Sequence, residues 1–202
     1  MKNAASLLFC LSLCIGAASA QTPAPTQRIR GDVLSVDGVN LQVRSREGEK
    51  LTIRLAENYT VTAVVKIDAS AIKPGNFVGI ASMPQPDGTL RSLEVLIFPE
   101  AMRGSNEGHY SWDLKPGSMM TNATVADVNS EGDTGRRVTL KYKDGEKMIV
   151  VPPDVPIVTF EPGDRSMVVP GAHILITATR QPDGSLTAPR IAVGKNGLVP
   201  PM

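Results

Sequence analysis

Short motifs recur along this chain at a nearly constant spacing. Gln-Pro-Asp-Gly occurs at 85–88 and again at 181–184, an offset of 96 residues, and Gly-Glu-Lys occurs at 48–50 and 145–147, an offset of 97. Asp68 opens a stretch that ends in Pro-Gly, and Asp164 does the same 96 residues later. Three markers in one order indicate an internal duplication, and so long a period predicts two tandem domains instead of a solenoid. We assign the first copy to residues 28–98 and the second to 120–195.

Each copy is built of short segments in which Val, Ile, Leu and Thr alternate with polar residues. Asp-Gly, Glu-Gly and Pro-Asp-Gly separate the segments. The pattern predicts about five to six strands per copy. In QPDG, Pro sets φ and Asp-Gly supplies positive φ, which predicts a tight hairpin between the last two strands. Asp68 and Asp164 each predict the N-cap of one short helical turn.

The predicted fold class is therefore all-β. Five or six short strands with one helical turn before the penultimate strand favour a small Greek-key barrel of the OB type, present here twice in tandem. An open meander of strands is the alternative, and the strand pattern fits both.

The first 20 residues, MKNAASLLFCLSLCIGAASA, combine one Lys, an apolar run and the small residues of Ala-Ser-Ala. This pattern predicts a signal peptide at 1–20 that is cleaved after Ala20, and a periplasmic or secreted protein. Bulky residues precede Cys10 and Cys14, so we expect no lipid attachment. Both cysteines lie in this leader, so the mature chain is predicted to have no disulfide and no thiolate metal site.

Charge and motifs exclude several function classes. The chain has 21 basic and 20 acidic residues, and the leader holds one basic residue, which leaves 20 of each. This balance, with 4% aromatic residues, argues against nucleic acid as a partner. No later segment has 18 consecutive apolar residues, so no integral membrane segment is expected in the mature chain. Without a nucleophile elbow, a zinc-protease motif or a phosphate-binding loop, the sequence predicts no enzyme.

The segment between the copies, residues 99–119, departs from the strand pattern and contains the only Trp of the chain, Trp112. A plain linker would be polar and poor in aromatic residues. We therefore predict that this segment folds back as a clasp onto one or both barrels. Alternatively, Tyr110 and Trp112 anchor a binding site for a small ligand or an envelope component, because large amphipathic aromatics are favoured at such sites.

A second alternative for the central segment is a metal site. Met102, His109, Met119 and Met120 supply thioether and imidazole groups, which are ligands that select copper in its reduced state. If the segment closes on itself, these four side chains predict a mixed copper site. Under the other interpretations the protein needs no cofactor.

Two stretches resemble known bacterial proteins. The first, DASAIKPGNFVGIASMPQPDGTLRSLEVLIF, resembles an exported bacterial domain of unknown function that occurs singly or in tandem, and the resemblance implies an OB-like fold over most of both copies. The second, EGHYSWDLKPGSMMTNATV, resembles the central segment of small proteobacterial proteins, some of which are labelled metal transporter permeases. A permease needs several membrane helices, which this sequence lacks. We expect a periplasmic, non-enzymatic binding or envelope-interaction module, with copper handling as the alternative.

Overall fold

The computed structural model describes residues 24–130 and 135–202, and the predicted signal peptide lies outside them. The described protein is all-β, contains a β-barrel and has no helix of seven or more residues, which confirms the predicted fold class at this level. Within the described ranges, none of the helices has the length and apolar character needed to cross a membrane.

The strands run along the whole described chain. Their bounds are β1 (Thr26–Asp37), β2 (Asn40–Ser45), β3 (Lys50–Lys66), β4 (Phe77–Pro84), β5 (Leu90–Ile97), β6 (Gly108–Ser111), β7 (Met119–Ser130), β8 (Arg136–Tyr142), β9 (Gly145–Val151), β10 (Ile157–Pro162), β11 (His173–Arg180) and β12 (Leu186–Gly194). The segments KLTIRLA and VTAVVKI of the first copy, which the alternation predicts as two strands, form one continuous strand, β3. Their counterparts β9 and β10 are separated by a loop with Pro152, Pro153 and Pro156, which lack the N–H that a strand donates.

The predicted hairpins and short helical turns are present, but Asp87 and Asp183 do not adopt the positive φ predicted for the Asp-Gly pairs. In both QPDG turns the Gly has positive φ, +82° at Gly88 and +84° at Gly184. The Asp87 carboxylate accepts a hydrogen bond from the Thr89 amide at 2.9 Å, which holds the first turn in shape. Asp68 caps a 3-10 turn at Ala69–Ala71 by accepting from the Ser70 amide at 2.7 Å. The corresponding turn at Arg165–Met167 is capped by Asp164.

The strands pair into two closed sheets that each combine strands from both predicted copies. Closed sheet A runs β1–β2–β3–β12–β11 and returns to β1. Closed sheet B runs β4–β7–β8–β9–β5 and returns to β4. The prediction that residues 28–98 and 120–195 each form a barrel of their own is corrected by this pairing. A repeat in sequence does not specify whether the last two strands of a copy pair with that copy or with the other one.

The long strand β3 explains the exchange. At about 3.3 Å per residue its 17 residues span roughly 55 Å, enough to leave one closed sheet and reach the other. β2 pairs with its first residues, β12 pairs along it from Ile53 to Val64, and β10 pairs with its last residues, from Thr62 to Lys66. In the antiparallel ladder between β3 and β10, Val64 lies opposite Phe160, which is 96 residues further along the chain. The ladder is therefore centred on an approximate two-fold axis.

Three apolar clusters stabilise this arrangement. The first fills closed sheet A and the second fills closed sheet B. Ile72, which precedes β4, is buried in the second, and Val168, which precedes β11, is buried in the first. The third cluster lies between the closed sheets and includes Val64, Val158 and Met202. Because burial is the main favourable term in folding, we expect each half of the chain to need strands from the other half for its stability.

This exchange predicts how the protein responds to a cut in the segment between the halves. A protease site introduced between Gly104 and Ser105, when cleaved, should leave two fragments that co-elute in size-exclusion chromatography and melt in one transition. Each closed sheet would still hold strands of both fragments. Fragments that separate in buffer without denaturant, each retaining its own β-sheet circular dichroism, would show that the ladders lie within each half. Uncleaved protein is the control.

Candidate functional site: a cavity between the closed sheets

The segment between the halves forms a hairpin on closed sheet B. Its strand β6 pairs with β7, with Tyr110 opposite Met120 and His109 opposite Thr121. The Trp112 amide continues the pairing by donating to the Ser118 carbonyl at 2.8 Å. The segment is therefore an extension of the sheet, and neither a plain linker nor a free loop.

Asp113 connects this hairpin to closed sheet A. Its carboxylate accepts from Arg28 at 2.9 Å and from Arg30 at 2.8 Å, both on β1. Burial tends to raise the pKa of Asp113, but the two guanidinium groups hold that pKa below its usual value. The Arg28 guanidinium also lies 3.9 Å from the centre of the Trp112 ring, a cation–π contact. The segment, which we call the clasp, therefore joins β7 of one closed sheet to β1 of the other.

A cavity of ≈260 Å³ lies beside the clasp, with walls from both closed sheets. Its lining combines aromatic rings with a few charged and amide side chains: Arg28, Gly79, Glu94, Leu96, Phe98, Asn106, Tyr110, Trp112, Met120, Asn122, Phe160, Leu175, Thr177, Arg190 and Met202. Such a combination of apolar walls and a few convergent polar groups is typical of small-molecule sites.

The central feature of the cavity is Glu94 on β5. Its neighbours Val95 and Ile97 are part of the apolar core of closed sheet B, so by strand alternation Glu94 points away from that core. The side chain is fully buried, and within the described residues neither carboxyl oxygen has a hydrogen-bond partner. Burial raises the pKa of Glu94 to about 8, against the opposing charge of Arg30. An unpartnered buried carboxyl group is costly and is a common mark of a functional site.

Two further buried polar atoms of the lining lack partners within the described chain: Asn122 Oδ1 and Trp112 Nε1. The Asn122 amide nitrogen donates to the Ser105 carbonyl at 3.0 Å and to the Tyr110 hydroxyl at 3.1 Å. These bonds fix which end of the amide is the oxygen. A Cβ atom at Gly79 would lie 2.8 Å from that oxygen, so only glycine leaves Asn122 its place.

The two facing walls of the cavity contain pairs of residues that lie 96 positions apart in the sequence. Glu94 on β5 corresponds to Arg190 on β12, and Gly79 on β4 corresponds to Leu175 on β11. All four residues line the cavity. The two walls therefore occupy equivalent places about the approximate two-fold axis, yet one presents a carboxyl group where the other presents a guanidinium group.

The structure brings together the two residues predicted for ligand binding. Tyr110 and Trp112 both line the cavity, with ring centres 6.2 Å apart in an edge-to-face arrangement. Trp112 is partly buried and packs against Arg28, so it has a structural contact and a place in the cavity wall at once.

The four side chains predicted for copper are not brought together. Met120 lines the cavity beside Tyr110, whereas His109 lies on the opposite face of the hairpin and lines a separate pocket with Lys147. Its Nδ1 lies 2.8 Å from the Thr121 hydroxyl, and burial together with the charge of Lys147 lowers its pKa. Alternation along the paired strands causes this split, since neighbours in a strand face opposite sides. Met119 is paired opposite Ser111, and Met102 lies in the 3-10 turn Glu100–Met102.

No group of three or more His, Cys, Asp or Glu side chains in the described ranges is arranged to hold a metal ion. The residues that the sequence analysis missed are Glu94, Asn122, Arg28 and Arg190. Glu94 had one visible sign, because it is the single charged residue in the otherwise apolar run LEVLIF. The other three lie in ordinary polar positions of strands, and only the fold brings them to one cavity.

Comparison with known proteins adds no relative: no family model, no curated protein and no solved structure matches the chain.

Replacing Glu94 by Gln tests the state of this carboxyl group. Because the folded protein retains on Glu94 a proton that the unfolded chain releases above pH 4.5, the contribution of Glu94 to the free energy of unfolding should be greatest below pH 4.5 and fall as the pH rises towards 8. The fall is at most about 1.4 kcal/mol per pH unit. Glu94→Gln cannot ionise and should lack this fall. Urea unfolding at pH 5, 6.5 and 8 measures it, and parallel profiles for the two proteins would contradict the buried acid.

Replacing Trp112 by Ala tests the clasp. The change removes the contact with Arg28 and the edge-to-face contact with Tyr110, which together are worth about 1–3 kcal/mol. We expect a lower melting temperature, measured by circular dichroism. Trp112→Phe is the control, because it keeps an aromatic face and should lose less. A Trp112→Ala curve that overlays the unmodified protein would show that the clasp contributes nothing to packing.

Proposed function

We propose that this protein is a non-catalytic binding module of the bacterial envelope, which holds a small ligand in the cavity between the closed sheets. The observation that carries the proposal is the set of buried polar atoms on Glu94, Asn122 and Trp112 that line one cavity without partners. Natural proteins satisfy nearly all buried polar groups, and each exception calls for an explanation. A ligand that bonds to these atoms supplies one.

The strand order supports an OB-like origin for both closed sheets. In closed sheet A the strands β1, β2 and β3 are consecutive and antiparallel, and β12 pairs with β3 in parallel. In closed sheet B the same relation holds for β7, β8, β9 and β5. Leu90 pairs with Ile149 and Leu186 with Ile53, which are the same pairing shifted by 96 residues in each strand. We therefore propose two OB-like barrels that arose by duplication and that exchange their last two strands.

The lining favours binding over catalysis. The described residues around the cavity include one carboxyl group, two amides, one threonine hydroxyl, two guanidinium groups and four aromatic rings, and none of them is His, Cys, Ser or Lys. Nucleophilic catalysis requires an activated nucleophile beside a base. Glu94, with no acid or base partner in this lining, is suited to recognising a ligand.

The predicted leader supports a location in the periplasm or outside the cell. A solute-binding role agrees with that location, because a periplasmic protein meets solutes before they reach the inner membrane. A ligand that contacts Glu94 of closed sheet B and Trp112 of the clasp would also stabilise the junction between the halves, since ligands that bind only the native state raise its stability.

A variant that narrows the cavity tests the proposal. Thr177 lines the cavity from β11 and is exposed, so Thr177→Phe should fill space without disturbing a core. In a thermal-shift screen of small polar compounds, compounds that raise the melting temperature of the unmodified protein should fail to raise that of Thr177→Phe. The matched control is Thr52→Phe, an exposed position on β3 outside the cavity. Compounds that stabilise all three proteins equally would show that the cavity is not the binding site.

A further inference from the structure

We propose that the ligand of the cavity is a small organic cation with N–H donors, such as an alkylguanidine or an amine, received by the Glu94 carboxylate and by Asn122 Oδ1. This inference builds on the proposed function and names the ligand class for the same cavity. Its basis is the balance of hydrogen-bonding groups, the compensation of nearby charges and the aromatic lining.

Once Glu94 is ionised, acceptors outnumber donors among the unpartnered buried atoms of the lining. The Glu94 carboxylate then contributes two acceptor oxygens and Asn122 one amide oxygen, whereas the unpartnered donor among them is Trp112 Nε1. The Asn122 amide cannot turn its nitrogen to the cavity, because that nitrogen donates to Ser105 and Tyr110. A ligand that satisfies this set must bring several N–H or O–H donors, and a charged donor forms the stronger bonds to a carboxylate.

The arginines near the cavity do not reverse this preference. Arg28 and Arg30 share the carboxylate of Asp113, and Arg30 also donates to the backbone oxygen of Met202. Asp113 therefore compensates one of these two charges, and both guanidinium groups already have hydrogen-bond partners. Arg190, on the opposite wall, is an exposed residue whose charge is screened by solvent and salt. The fully buried group in the lining that can carry a charge is Glu94.

The aromatic lining also suits a cation. Phe98, Tyr110, Trp112 and Phe160 line the cavity, and the faces of such rings attract guanidinium and ammonium groups. The protein already uses this contact on one side of the cavity, where the Arg28 guanidinium lies on the Trp112 ring. With ≈260 Å³ available, the cavity accommodates a headgroup and a short chain.

Binding of a cation would be coupled to the release of a proton. The charge of Arg30 on β1 acts on Glu94, and the titratable and charged residues that line the cavity with it are Arg28 on β1, Tyr110 on the clasp and Arg190 on β12. With this surrounding the pKa of Glu94 is about 8, so at pH 6 the empty cavity holds a neutral acid. A bound guanidinium would favour the ionised form. The affinity should then rise about tenfold for each pH unit between 6 and 8, because one proton leaves for each cation bound.

The test uses three probes that carry the same butyl chain on planar headgroups of different charge: n-butylguanidinium, n-butylurea and pentanoate. The guanidinium stays charged across the whole pH range, so its own titration does not interfere. Isothermal titration at pH 6, 7 and 8 should show n-butylguanidinium binding at least tenfold more tightly than n-butylurea at pH 8, with this advantage growing from pH 6. In Glu94→Gln the advantage and its pH dependence should disappear, and in Thr177→Phe the binding itself should disappear. Thr52→Phe should behave as the unmodified protein.

Two results overturn the inference in distinguishable ways. If n-butylurea or pentanoate binds at least as tightly as the guanidinium, and Thr177→Phe abolishes that binding, the cavity is a ligand site but the ligand is not a cation. The same conclusion follows if Glu94→Gln leaves the guanidinium advantage intact. If none of the three probes binds at millimolar concentration to the unmodified protein, the proposed function fails together with the inference.

Discussion

The antiparallel ladder between β3 and β10 is the interaction on which the rest of the structure depends. It pairs the middle of one half of the chain with the middle of the other, around Val64 and Phe160. Because β3 continues through this ladder without a break, the chain leaves closed sheet A and supplies β4 and β5 to closed sheet B. The second half returns β11 and β12 in exchange. The clasp, the third apolar cluster and the cavity all lie where these crossings bring the two closed sheets together.

Local structure could be predicted from the sequence, but the distribution of the strands between the two closed sheets could not. Alternation of Val, Ile and Thr with polar residues identified the strands, and the Asp and Gly positions of QPDG identified the hairpins, because these effects act within a few residues. The two predicted strands can join into β3 because no proline lies between Leu55 and Tyr59. The absence of a residue is weak evidence for a continuous strand, so the sequence did not predict it. Whether β4 pairs with β1 or with β7 is a choice between two equivalent partners, and both partners carry the same pattern.

Part of the candidate site could also be predicted from the sequence. Tyr110 and Trp112 were identified because they are rare residues in an atypical segment, and both line the cavity. Met120 was identified for metal and lies in the wall of the same cavity, whereas His109 faces the other side of the hairpin. Glu94, the buried carboxyl group of the cavity, had one local sign in the sequence, its place in the otherwise apolar run LEVLIF. Its burial results from the second closed sheet, which no local pattern describes.

The approximate two-fold axis has a consequence for the evolution of specificity. A symmetric homodimer of a single copy would present identical side chains on both walls, so that a carboxyl group at position 94 would face a second carboxyl group. Under the duplication that we propose, joining the two copies in one polypeptide removes that restriction, because each wall is then encoded separately. Glu94 and Arg190, 96 residues apart, line the same cavity with opposite charges. A ligand of this cavity would therefore meet two unlike walls, whereas a symmetric ancestor would have bound it in two equivalent orientations.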